Sequence, residues 1–266
     1  MQEYNSTDKQ IHWLSQIIAK VNRAFVPKKE DDSHTSLYFD SVGRKLAGRW
    51  IDTPQGRIIL SLDIIRHRYE WLDKKYQNRA SINIDNKEIE VLEKEVIEYP
   101  KKAGLNCDKL LDPLHFEIPD YKILSVRADE LTVEGLNNWC RIREMANNAC
   151  LAVSGYLQAE SEIRIWPHHF DTGIYSQVSD SLGIGFGLAM EDAMVGEPYF
   201  YLAGYSSGTP IDYEGLPALK YGRWIRGEQW NGAILPLSEV YDLPAEPAFE
   251  NLKRYIKQSA DWFMKI

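Results

Sequence analysis

Twice along this chain a helical stripe gives way to a group of short β-type segments with hairpin-length gaps, and then to another helix. The first helix is expected to open at the capping box Thr7-x-x-Gln10. It carries Ile11, Leu14, Ile18, Val21 and Phe25 in steps of three and four, and Pro27 stops it. Strand-like segments follow at 36–40, 44–51, 57–65, 68–73 and 80–84, and a second box, Asp85-x-x-Glu88, introduces a helix with Ile89, Leu92, Val96 and Tyr99 on one face. Residues 105–131, with Pro113 and Pro119, read as an irregular connector. Thr132 then caps a long helix, strands are expected at 163–170, 173–178, 182–190, 199–205, 221–225 and 233–235, and a final helix starts at Pro247. Grouped strands with short gaps pair antiparallel, and helices outside each group give an α+β fold. The expectation is one compact unit over 1–266, its lobes 1–104 and 132–266 joined by the connector.

Composition narrows the function classes. A hydrophobic share of 44% with 26% charged residues is globular, and the formal charge of −8 disfavours non-specific binding to nucleic acid or anionic membranes. No stretch approaches membrane-spanning length, and the N-terminus has no basic-then-apolar signal pattern. Cys107, Cys140 and Cys150 form no C-x-x-C pair, so a cytoplasmic location is expected.

Unusual residues concentrate in the second half. Trp166-Pro167-His168-His169-Phe170-Asp171 brings two of the six histidines beside a carboxylate. On a strand His169 and Asp171 share a face, where they could ligate one divalent metal or move a proton together, with Glu191, Asp192 or Glu197 assisting. The plainer reading is that both histidines only hydrogen-bond within a sheet. Further on, Leu182, Ile184, Phe186, Leu188 and Met190 alternate with Gly183, Gly185, Gly187 and Ala189, leaving one strand face bare. Glycines there admit either a packed helix or a ligand, and their setting inside a strand excludes a dinucleotide fingerprint. If Ser179-Asp180 is a two-residue turn, Glu191 faces His168 and Met190 faces His169. His168 and Glu191, with Trp166, then lie on the glycine side and Asp171 on the bulky side; a one-residue slip reverses this. Tyr199, Tyr201 and Tyr205 share another face, suited to core packing or to stacking on a ring-bearing ligand.

The order of these features resembles a bacterial family known only as a domain of unknown function. The likeness runs through Val26-Pro27, His34 to Gly43, Phe170-Asp171, Tyr199–Tyr205, Ala233–Leu237 and Trp262-Phe263. It implies a shared fold, supplies no mechanism, and favours Asp171 over the two histidines. Two functions are therefore carried forward. One is a small-molecule enzyme with His168, His169, Asp171 and Glu191 as catalytic groups, with metal at His169 and Asp171. The other is a non-catalytic module that binds a ligand or protein through Trp166, Gly183, Gly185, Gly187, Tyr199 and Tyr201.

Overall fold

The computed structural model describes residues 1–127 and 129–265; Ala128, inside the expected connector, lies outside them. Two compact units divide the chain, Gln2–Arg141 with Arg164–Phe170 and Ile142–Ile163 with Asp171–Ile266, called here the N-terminal and C-terminal units. The cut falls inside a helix, and residues 105–131 belong to the N-terminal unit.

Helix α1 (Gln2–Phe25) starts ahead of the expected capping box, so Thr7 is a buried helical residue rather than a cap. Its stripe of Ile11, Leu14, Ile18 and Val21 is buried as the spacing requires. Strands β1 (Tyr38–Asp40), β2 (Lys45–Ala47), β3 (Ile51–Thr53), β4 (Gly56–Asp63), β5 (Arg68–Asp73) and β6 (Asn78–Asn83) form an antiparallel sheet in the order β1-β2-β4-β5-β6, with β3 also on β4. One cross-strand row is wholly apolar: Phe39, Leu46, Leu62, Tyr69 and Ile82, all buried. The Tyr69 hydroxyl on this face donates to the Leu14 carbonyl of α1 at 2.6 Å.

The opposite face carries a row of alternating charge, Asp40, Lys45, Asp63, Arg68 and Asn83. Beside it Glu70 is buried at 2% exposure. Lys45 and Arg68 both bridge to its carboxylate, the Arg68 Nε at 2.8 Å, and Asn78 adds a donor at 3.0 Å. Burial alone would raise the Glu70 pKa, but the hydrogen bonds and charges of Lys45 and Arg68 prevail and lower it.

The helix expected after residue 85 is interrupted. Lys87–Glu88 (β7) pairs instead with Ser125–Val126 (β8), and the helix N-cap position falls to Glu88 rather than Asp85. Helix α2 (Ile89–Val96) then breaks before α3 (Glu98–Lys102). Pro100 has no N–H for the Val96 carbonyl four residues back, and the Trp71 indole donates to that carbonyl at 3.1 Å. Thr132 does cap helix α4 (Val133–Leu157), its Oγ1 accepting the Gly135 N–H at 3.0 Å. The buried Trp139 donates to Asp8 at 2.7 Å. The short strand β9 (Arg164–Ile165) bridges back to Leu37.

In the C-terminal unit, strands β10 (Thr172–Gln177), β11 (Leu182–Ala189), β12 (Tyr199–Ser206), β13 (Arg223–Arg226) and β14 (Asn231–Pro236) run antiparallel in the order β13-β14-β12-β11-β10. Ile184, Phe186 and Leu188 are buried with Phe200 and Leu202 on the bulky face. Helix α5 (Ala245–Phe263) closes this core: the Tyr255 hydroxyl donates to the Ala233 carbonyl at 2.7 Å, and the Phe263 ring lies against Gly204. The α+β expectation with antiparallel sheets holds, and no helix among the described residues is long and apolar enough to cross a membrane.

Candidate functional site

The strand expected over 163–170 is only two residues long, because Pro167 cannot donate to a ladder. Residues 166–170 instead fold into a tight turn in which the Phe170 N–H donates to the Trp166 carbonyl at 2.6 Å and Phe170 takes a φ of +55°. Two buried groups pin this turn to α1. The Pro167 carbonyl accepts from His12 Nε2 at 2.8 Å and from Gln16 Nε2 at 2.9 Å, and the Phe170 ring stacks on His12 at 4.8 Å. A carbonyl only accepts, so His12 carries its proton on Nε2 and its Nδ1 receives the Tyr121 hydroxyl at 2.7 Å.

With Pro167 and Phe170 turned inward, His169 is exposed and His168 half-buried. The His168 ring lies 4.4 Å from that of His169, 5.6 Å from Phe116 and 6.2 Å from Trp166. Next to Phe116, His115 bridges to Asp32 at 2.5 Å, and the buried His34 stands 3.9 Å from the same carboxylate. Burial, the largest influence, lowers the His34 pKa against the opposing pull of Asp32. Strand alternation therefore does not govern the histidines. Among the described residues, no group of three or more His, Cys, Asp or Glu is arranged to hold a metal ion.

The β10–β11 register is one residue away from the expected two-residue turn. Gln177 pairs with Gly183 and Thr172 with Leu188, and the Val178 N–H reaches the Leu182 carbonyl across a three-residue loop, 179–181. That slip corrects the face assignment: Asp171 works on the glycine side, while Glu191 is an exposed residue past the end of β11. Asp171 accepts a 2.6 Å hydrogen bond from the Tyr201 hydroxyl. Burial first, then the Asp171 charge and hydrogen bond, holds the Tyr201 pKa well above 10. Tyr199, on the same side of β12, donates to Asp192 at 2.7 Å.

The occupants of the bare strand face are tyrosines. Tyr175 on β10 and Tyr205 and Tyr201 on β12 face Gly185, Gly183 and Gly187 in the ladder. Each ring leans across the space that β11 leaves without side chains. A methyl at Gly183 would overlap Tyr175, one at Gly185 would stand 2.9 Å from the Tyr205 ring, and one at Gly187 would stand 2.7 Å from the Tyr201 hydroxyl. The Tyr175 and Tyr205 rings consequently meet over the central strand with centroids 6.0 Å apart, and they remain 50% and 48% exposed. Polar groups frame them: Tyr175 donates to Gln177 at 3.1 Å, and Trp230 donates to Tyr205. Sequence reasoning missed Tyr175 as part of this surface; its signal was its even separation from Asp171 along one strand.

The chain matches no family model, no curated protein and no solved structure.

Proposed function

We propose that this protein is a non-catalytic binding module that takes a small ring-bearing molecule on the tyrosine surface of its C-terminal unit. One observation carries the reading: two half-exposed tyrosine rings lie side by side, 6.0 Å apart, above glycines that keep the strand between them clear. Large rigid aromatics with few rotatable bonds give contact area at low entropic cost, and the adjoining amide and carboxylate can orient a polar substituent. The binding reading is favoured over the enzymatic one by how the polar groups are used. Asp171 accepts from Tyr201, the Tyr201 phenol keeps its proton, and His169 sits in an exposed turn.

Titration with a panel of indoles, purines and pyranose oligosaccharides, followed by tyrosine-resolved NMR shifts, tests this. At least one class should move the Tyr175 and Tyr205 signals together. Tyr175→Ala and Tyr205→Ala should each weaken its binding about 2- to 10-fold, as expected for one aromatic contact. Binding that survives the double substitution unchanged, or a panel in which nothing shifts those two signals, refutes the proposal.

A further inference from the structure

Despite its net acidity, the chain gathers cations around one cleft of the N-terminal unit. The cleft has a volume of about 520 Å³, and Arg57, Lys74, Lys75, Arg79 and Lys102 line it. Three pieces of chain bring them together: the β3–β4 hairpin, the β5–β6 hairpin and the end of α3. A single carboxylate, Asp73, shares the lining, and Arg79 already bridges to it at 2.5 Å. Arg57 pairs with Asp52 at 2.7 Å. Among the described residues, Lys74, Lys75 and Lys102 have no ion-pair partner and make no side-chain hydrogen bond.

Three unpaired ammonium groups at one concavity repel one another, and the molecule as a whole offers the opposite sign, a formal charge of −8. A bound polyanion would remove that repulsion. The turn amides are not the source of recognition, since Asp73 Oδ1 already accepts the N–H groups of Lys75 and Gln77. Recognition therefore falls to side-chain charge, which suits oxygens spread over several linked phosphates better than a lone carboxylate. One wall is aromatic: Tyr99 lines the cleft with its ring held against Trp71 at 5.7 Å. The volume is in the range of small-molecule sites and too small for a folded partner.

We propose that this cleft binds a small molecule through a polyphosphate group, with Lys74, Lys75 and Lys102 as the principal contacts. The site is independent of the tyrosine surface proposed above. Its test is calorimetric titration of the full chain with inorganic tripolyphosphate and, separately, with a nucleoside triphosphate, at fixed ionic strength. Each should bind, and sodium sulfate at matched ionic strength should not compete. Lys74→Ala, Lys75→Ala and Lys102→Ala are exposed changes that leave the melting temperature of the free protein unaltered. Each should weaken binding about fivefold, and the triple variant on the order of 100-fold. Tighter binding of the nucleotide that is lost in Tyr99→Leu assigns the ring of the ligand to the aromatic wall; equal binding of both probes assigns recognition to phosphate alone. Absence of binding by both probes, full competition by sulfate, or unchanged affinity in the triple variant overturns the proposal.

Discussion

Gly187 and Gly185 lie on the same face of the same strand, two residues apart, yet their replacement by alanine should have very different costs. A methyl at Gly187 overlaps the carbonyl oxygen of Thr172 on β10 and stands 2.7 Å from the Tyr201 hydroxyl. Ordinary contacts begin at about 3.5 Å. The carbonyl belongs to the paired backbone of β10, so relief requires the two strands to part or β11 to bend. Overpacking of this kind costs about 1–3 kcal/mol. Displacing Tyr201 also weakens its bond to Asp171, worth roughly 1.5–3 kcal/mol for a charged acceptor. The gain from restricting the unfolded chain is at most about 1 kcal/mol. Gly187→Ala should therefore lose about 3 kcal/mol. At Gly185 the methyl meets only the Tyr205 ring edge, at 2.9 Å, and that ring is 48% exposed, so it can give way without moving backbone. Gly185→Ala should stay within about 1 kcal/mol of the parent. Urea unfolding of both variants, with near-ultraviolet circular dichroism as the probe of tyrosine packing, measures the difference. Equal stabilities for the two variants, or a Gly187→Ala protein as stable as the parent, would refute the claim that backbone and Tyr201 together fill this space.

Two further outcomes follow from buried polar groups. The Glu70 pKa is depressed in the folded state below its usual 4.5, so its contribution is full above that pH and is lost as the pH falls through the folded value. Glu70→Gln should lose about 2 kcal/mol at pH 7, where two cations lose a charged acceptor, and urea melts should show a flatter acid limb below pH 4.5; an unchanged acid limb would count against the network. His12→Ala removes a stacked ring and leaves the Tyr121 hydroxyl without its acceptor, which should cost about 3 kcal/mol by chemical denaturation. A loss under about 1 kcal/mol would mean that the 166–170 turn is held by other contacts.

Much of the fold was legible where periodicity is strong. The stripe of α1, the Thr132 cap and the alternation of Leu182 to Leu188 appear as expected, because burial of one face dictates them. Pro100 and Pro167 were read too lightly: each removes an N–H that the expected helix or strand required, so the helix breaks after Val96, one turn before Pro100, and the strand ends before Pro167. The candidate site was harder. Face assignments around Asp171 depended on a loop of two residues, and the loop has three, so the side assigned to Asp171 inverted, while His168, His169 and Glu191 fall outside the paired strands altogether. The bare strand was recognised, but its occupants come from neighbouring strands, and cross-strand partners cannot be read without the register.

The charged row of the N-terminal sheet bears on how that sheet finds its alignment during folding. In the native β4–β5 pairing Asp63 faces Arg68 and Glu70 faces Ser61. A shift of two residues keeps the apolar residues on their own side, so hydrophobic burial penalises it weakly. In one direction that shift sets Asp63 beside Glu70, two carboxylates at positions where both are buried; in the other it sets Glu70 against Ile59. Like charges directly opposed, or a charge against an aliphatic chain, are both unfavourable. In the observed alignment Lys45 bridges both Asp63 and Glu70. The charges of this sheet thus raise the energy of the misaligned hairpins that compete with the native alignment.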